Sequence, residues 1–164
     1  KARRSSIYAQ RLGNLTPKPV TYIETRKGGL LYESYHVSRL SPCRHVLKEV
    51  IKDVNFSNRD QIFAAFGRFT ARLHEQGMLH ADYSMGNILF EPTKQGAEFQ
   101  LVDLNRMRFG QRINCRKGCR NFERIDTDCE ALSAIARAYA QARGYNEEEC
   151  VRLVLKMRWR KHKK

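Results

Sequence analysis

Three residues in one short stretch have the types and spacing for phosphoryl transfer. Residues 79–109 read LHADYSMGNILFEPTKQGAEFQLVDLNRMRF, with His80-Ala81-Asp82, Asn87 five residues on, and Asp103 after an apolar run. An H-x-D-x-x-x-x-N pattern followed by an apolar-flanked aspartate is what one wall of a kinase-type site requires. On a loop, Asp82 would accept the proton of a substrate hydroxyl as that oxygen attacks the terminal phosphate of ATP. Asn87 and Asp103 offer the hard oxygen donors that Mg²⁺ prefers beside phosphate oxygens. His80 belongs with Asp82 in the catalytic set, more as a brace for the loop than as a reactant.

These residues need a hairpin to meet. Ile88-Leu89-Phe90 and Phe99-Gln100-Leu101-Val102 read as two short strands joined by a turn over residues 91–96, which returns Asp103 to the side of Asn87. Each element alone has a bland reading. A lone H-x-D arises by chance, and an aspartate after a strand is commonly a cap or turn residue. The ordered combination, with a helix before it, favours the catalytic reading.

HADYSMGNILF and LVDLNRMRF resemble the lipopolysaccharide kinase family, the Kdo- and heptose-kinase branch of the protein-kinase-like fold. Weaker likeness extends to KARRSSIYAQRL at the start and RNFERIDTDCEAL after the motif. The resemblance implies an α+β protein-kinase-like fold with a mainly helical large lobe over residues 37–164. Residues 1–36 would be a truncated small lobe of one helix, two strands and a hinge. It further implies ATP and Mg²⁺ as cofactors, and an anionic lipid-linked saccharide, Kdo or heptose of the inner core, as acceptor. Ser84 then stands where many kinases place a phosphate-contacting lysine, and is carried as a nucleotide-site residue. Arg106 and Arg108 are tentative substrate residues that would supply positive charge to the transferring phosphate. Their alternative role is a surface ion pair.

Three expected kinase parts have no counterpart. No G-x-G-x-x-G occurs, and Lys1 opens a helix instead of lying on a strand. Ile7 stands where the first helix would carry its partner glutamate. The reading is therefore a lipopolysaccharide-type carbohydrate kinase whose given stretch lacks the front of the small lobe, with activity of that stretch by itself left open.

The 164 residues make one domain's worth, with 31 Lys and Arg against 17 acidic residues, a formal charge of +14. Such an excess predicts a polyanionic partner: nucleic acid, an anionic membrane face or a phosphorylated substrate. For a lipopolysaccharide kinase the last two coincide at a bilayer surface, and nucleic acid is disfavoured. A basic surface also serves plain solubility. No apolar run reaches the roughly 20 residues of a membrane span, and no secretory h-region opens the chain. A cytoplasmic protein is expected, with peripheral contact at the inner membrane. The cysteines at 43, 115, 119, 129 and 150 form no C-x-x-C, and Cys115 and Cys119 lack a second ligand pair, so reduced thiols are expected.

Along the chain, residues 1–12 read as a helix with Ile7, Tyr8 and Leu12 on one face, stopped by Gly13-Asn14. Residues 16–19 read as an extended connector. Residues 20–24 and 30–35 form a hairpin around Lys27-Gly28-Gly29, with the nucleotide hinge near residues 34–37. A short helix is expected over 44–52. Ser57 or Asn58 caps the next one, over 59–76, whose stripe of Ile62, Phe63, Phe66, Phe69, Thr70 and Leu73 is core. His74 on it reads as an ordinary satisfied histidine. Residues 110–122 form a basic loop for the anionic acceptor or for solvent, and no A-P-E signature of a peptide kinase follows. Asp126 or Thr127 caps a helix over 128–143 ended by Gly144. Asn146 caps the last helix, with Glu147, Glu148 and Glu149 at its positive end. Its basic tail, 156–164 with Trp159, suits an anionic bilayer or a frayed terminus.

Two rivals remain open: an aminoglycoside-type small-molecule phosphotransferase, and a catalytically inactive kinase-like binding module.

Overall fold

The computed structural model describes residues 1–162, with side chains through residue 159. Much of the expected basic tail therefore lies outside the described residues. Trp159 itself is exposed on the last helix.

Local sequence signals set most of the helices. Helix α1 spans Ala2–Leu12. Its buried face is Ala2, Ser5, Ser6, Ala9 and Leu12, whereas Ile7 is 43% exposed. The expected apolar face is thus corrected. Small side chains face inward because the helix lies close against the motif segment, with Tyr8 and Phe109 ring centroids 4.9 Å apart. Strands β1 (Pro19–Lys27) and β2 (Leu30–Ser38) pair antiparallel around Gly28 and Gly29, both at positive φ, as a two-residue turn of matching twist requires. Neither strand has a fully buried residue, and Val20, Ile23, Leu30, Leu31 and Tyr32 stay half or more exposed. The hinge expected near 34–37 is still strand, which continues to Ser38.

The expected helix over 44–52 divides. His45–Val46 form β3, hydrogen-bonded to the motif hairpin, and only Leu47–Lys52 is helix α2. Helix α3 (Arg59–Glu75) follows Asn58, which sits in the left-handed region without a side-chain cap bond. Its predicted stripe is buried throughout, and Ala65, Gly67, Ala71 and His74 are buried with it. After β4 (Leu79–His80), strands β5 (Ile88–Thr93) and β6 (Gly96–Leu101) run longer than expected and close with a two-residue turn at Lys94-Gln95. Pro92 is tolerated in β5 because β3 pairs only with Leu89 and Phe90, leaving its other edge open at residue 92. Gly96 has φ 125°, and a Cβ there would lie 3.0 Å from that of Ala65, so the turn is pressed onto α3.

Strand β7 (Met107–Arg108) pairs with β4. The expected basic loop over 110–122 is half helical. Asn114 accepts from the Lys117 amide and starts α4 (Cys115–Arg120), which runs into a 3₁₀ turn at Asn121–Arg124. Asp128 caps α5 (Cys129–Arg143) by accepting from the Ala131 amide at 2.7 Å, in place of Asp126 or Thr127. Its second oxygen meets Arg59 of α3 at 2.8 Å, a link between helices that sequence spacing does not expose. Asn146 caps α6 (Glu147–His162) as expected.

The core joins all of this. Phe63, Phe66 and Phe69 of α3 pack with Phe90 and Phe99 of the hairpin, Phe122, and Leu132, Ile135 and Tyr139 of α5. Ala9 and Leu12 of α1 belong to the same cluster. Among the described residues no helix is long and apolar enough to cross a membrane. Truncating Phe66, fully buried at the centre, is expected to destabilise the fold by about 3–5 kcal/mol, read as a lower urea midpoint.

Candidate active site

The loop carrying Asp82 is held by its backbone. The Asp82 amide donates to His80 Nδ1 at 3.1 Å, and its carbonyl accepts from the Ser84 amide at 2.8 Å and Asn87 Nδ2 at 3.0 Å. The next residue points the other way. Tyr83 is buried, stacks on Phe66 at 5.6 Å, and shares a 2.8 Å hydrogen bond with Thr70 of α3. Anchoring Tyr83 in the core leaves the Asp82 carboxylate at the surface, with its side chain 19% exposed.

His80 has both ring nitrogens engaged. Because Nδ1 accepts an amide hydrogen, Nε2 must carry the proton, which it donates to the Val102 carbonyl at 3.1 Å. Burial lowers the pKa of this imidazole and favours its neutral form. His80 thus ties the loop to the strand end that delivers Asp103, a positioning arrangement with no free nitrogen for proton transfer.

The hairpin brings the third residue across. Its ladder ends at Ile88 opposite Leu101, and the Val102 amide extends it by donating to the Asn87 carbonyl at 3.0 Å. Asp103 follows at φ 52°, a left-handed conformation that aspartate accepts more readily than bulkier residues. Its Oδ1 accepts from Asn105 at 3.2 Å, and Asn105 in turn accepts from Ser5 of α1 at 3.1 Å. A cleft of about 240 Å³ opens here, lined by Ser5, Thr16, His36, Ser38, Asp103 and Asn105. A separate groove of about 830 Å³ is lined by Arg68, Arg72 and Lys94 and touches neither Asp82, Asn87 nor Asp103.

Two guanidinium groups flank Asp82. Arg124 donates to Oδ1, and Arg106 lies 3.5 Å from Oδ2. Arg106 was anticipated; Arg124, on the turn after α4, was not singled out by any local pattern. Its only signal was the density of basic residues after the motif. Arg108 is exposed, and neither its side chain nor that of Ser84 has a hydrogen bond or ion pair among the described residues. The structure therefore gathers Asp82, Asn87, Asp103, His80 and Arg106, and leaves Arg108 outside the gathered set.

Behind the loop runs a buried polar chain. The Tyr139 hydroxyl and Asn121 Oδ1 each lie 3.0 Å from a ring nitrogen of His74, and Asn121 Nδ2 donates to the His80 carbonyl at 3.0 Å. Burial drops the His74 pKa from 6.5 to about 4. The unfolded chain takes up this proton near pH 6.5 and the folded chain only near pH 4, so stability falls as pH drops through that window. The loss is expected to reach about 3 kcal/mol below pH 4. Urea midpoints across pH 7 to 4 should slope less steeply in His74→Asn than in the parent. Equal slopes would remove His74 from the acid sensitivity.

An aspartate braced by its own backbone, with an asparagine and a second aspartate returned toward it by a hairpin, has the residue types and order that kinase-type phosphoryl transfer calls for. The fold agrees. A solved structure, "WaaP in complex with acyl carrier protein", matches over 99% of this chain and 75% of its own, with a TM-score of 0.69 and 16% identity. The model of the Lipopolysaccharide kinase (Kdo/WaaP) family matches residues 8–145, and the chain belongs to that family. No curated protein matches the chain at a comparable level. Membership supports a lipopolysaccharide-type kinase and implies use of ATP.

Proposed function

We propose that the protein transfers the terminal phosphate of ATP to a hydroxyl of an inner-core sugar of lipopolysaccharide, Kdo or heptose, with Asp82 as general base. The observation that carries this reading is the double tie of Asn87: its Nδ2 to the Asp82 carbonyl and its own carbonyl to the Val102 amide. That tie holds base and candidate metal ligands in one frame. With Nδ2 donated, the Asn87 amide oxygen remains as a hard donor, and the exposed Asp103 carboxylate supplies a second, a donor set suited to Mg²⁺. Mg²⁺ bound by these residues would offset charge on the phosphate oxygens.

The chain's own groups do the rest. Asp82 takes the proton of the attacking hydroxyl. Arg106 and Arg124, 60% and 52% exposed, orient its carboxylate at rest and face the incoming phosphate and acidic acceptor. The nucleotide would enter the cleft at Asp103, between the small lobe of residues 1–36 and the large lobe of residues 37–164, with Ser84 near the phosphates. The charge of +14 suits an acceptor set among acidic sugars at the inner membrane face, approached from the cytoplasm.

The test is transfer from labelled ATP to a panel of Kdo-lipid, heptose-lipid and aminoglycoside acceptors. The protein is purified with every residue its reading frame encodes. Transfer to a lipid-linked sugar alone supports the reading, and transfer only to aminoglycoside replaces it. Mg²⁺-independent nucleotide binding without transfer to any acceptor would favour a binding module.

A further inference from the structure

Three of the five thiols meet at one place outside the site described above. Cys115 and Cys119 stand one turn apart on α4, and Cys150 comes to them from the first turn of α6. The Cys115 sulfur lies 3.4 Å from that of Cys150 and 4.0 Å from that of Cys119, and all three sulfurs lie within 4.8 Å of one another. The absence of a second ligand pair in sequence is thus corrected by the fold, which brings the third thiol from 35 residues away.

We propose that Cys115, Cys119 and Cys150 form a tri-thiolate site for a thiophilic d¹⁰ metal ion of the zinc class. Metal–sulfur bonds of about 2.3 Å give sulfur–sulfur edges of about 3.8 Å in a tetrahedral site and about 4.0 Å in a trigonal one. The observed spacings bracket those values, so a metal needs only small side-chain adjustments. Soft thiolates select ions of this class over the Mg²⁺ expected at Asn87 and Asp103. Cys119 and Cys150 are fully buried, while Cys115 is half-buried and gives an entry path. Binding would release the thiol protons, because the thiolate is the metal ligand. Among the described residues no His, Asp or Glu atom joins the three sulfurs, which leaves a fourth position to a water or a small thiol.

The clamp would act at a sensitive point. Helix α4 runs directly into the turn that holds Asn121 on the His80 carbonyl and Arg124 on Asp82. A metal joining α4 to α6 would fix that turn against the body of the fold.

The probe is Co²⁺, titrated into the reduced, metal-free protein under argon. A sulfur-to-cobalt charge-transfer absorption should rise to a plateau at one equivalent and vanish when Zn²⁺ is added. Zn²⁺ should also raise the melting temperature, saturating at the same ratio. Cys115→Ser, at the half-buried position, should weaken Co²⁺ binding at least tenfold while melting as a folded protein. Cys129→Ser, at an exposed thiol outside the cluster, should leave it unchanged. No charge-transfer absorption, or one indifferent to Cys115→Ser, overturns the proposal. So does a Cys115–Cys150 disulfide in protein isolated anaerobically, which would make the pair a redox couple.

Discussion

Phosphate transfer is expected to fall by about 10²- to 10⁴-fold in Asp82→Ala, with the fold intact. The two halves of this expectation rest on different atoms. The loop is positioned through the Asp82 amide and carbonyl, bonded to His80, Ser84 and Asn87, and none of these bonds involves the carboxylate. Removing the carboxylate breaks only the pairs with Arg106 and Arg124, both more than half exposed, and such surface pairs contribute about 0–1 kcal/mol. Initial rates with labelled ATP and urea unfolding of the same preparation measure both halves. Retained turnover would remove Asp82 from the mechanism, and a collapsed fold would make the carboxylate structural.

Gly67→Ala is expected to destabilise the protein by about 1–3 kcal/mol or more, the effect of overpacking a tight helix contact. A Cβ at residue 67 would lie 2.4 Å from the Ile135 carbonyl oxygen and 3.0 Å from the Tyr139 amide nitrogen. Both are backbone of α5, and no rotamer change can move them. Helices α3 and α5 would have to separate. Phe66 and Thr70 of α3 hold Tyr83, so that separation should loosen the Asp82 loop and lower kcat as well as the unfolding midpoint. An unchanged midpoint would mean that the two helices do not approach so closely.

The legible parts of the fold were those written in neighbouring residues. The Phe-rich stripe of α3, Asn146 before its three glutamates and Gly144 after α5 mark helices because caps and period act within a turn or two. The H-x-D-x-x-x-x-N pattern and the hairpin after it were read for the same reason, since register within a hairpin follows from its turn. Burial was less legible. Ile7 reads as core and is exposed, while Ala2, Ser5 and Ala9 are buried, because the face of α1 is chosen by the closeness of the motif segment.

Sequence alone determined the family, the hairpin that returns Asp103 toward Asn87 and most of the helices, because each depends on residues within one hairpin or one helical face. Tertiary structure decided which cations reach Asp82, that His80 ends with both nitrogens bonded, and that three distant cysteines meet. Arg106 and Arg108 are indistinguishable by type and lie two residues apart, yet only Arg106 meets the carboxylate. Arg124 arrives from 42 residues away, and Cys150 joins Cys115 across 35. Such contacts are selected by how helices pack against one another, and a spacing rule within one segment carries no record of that packing.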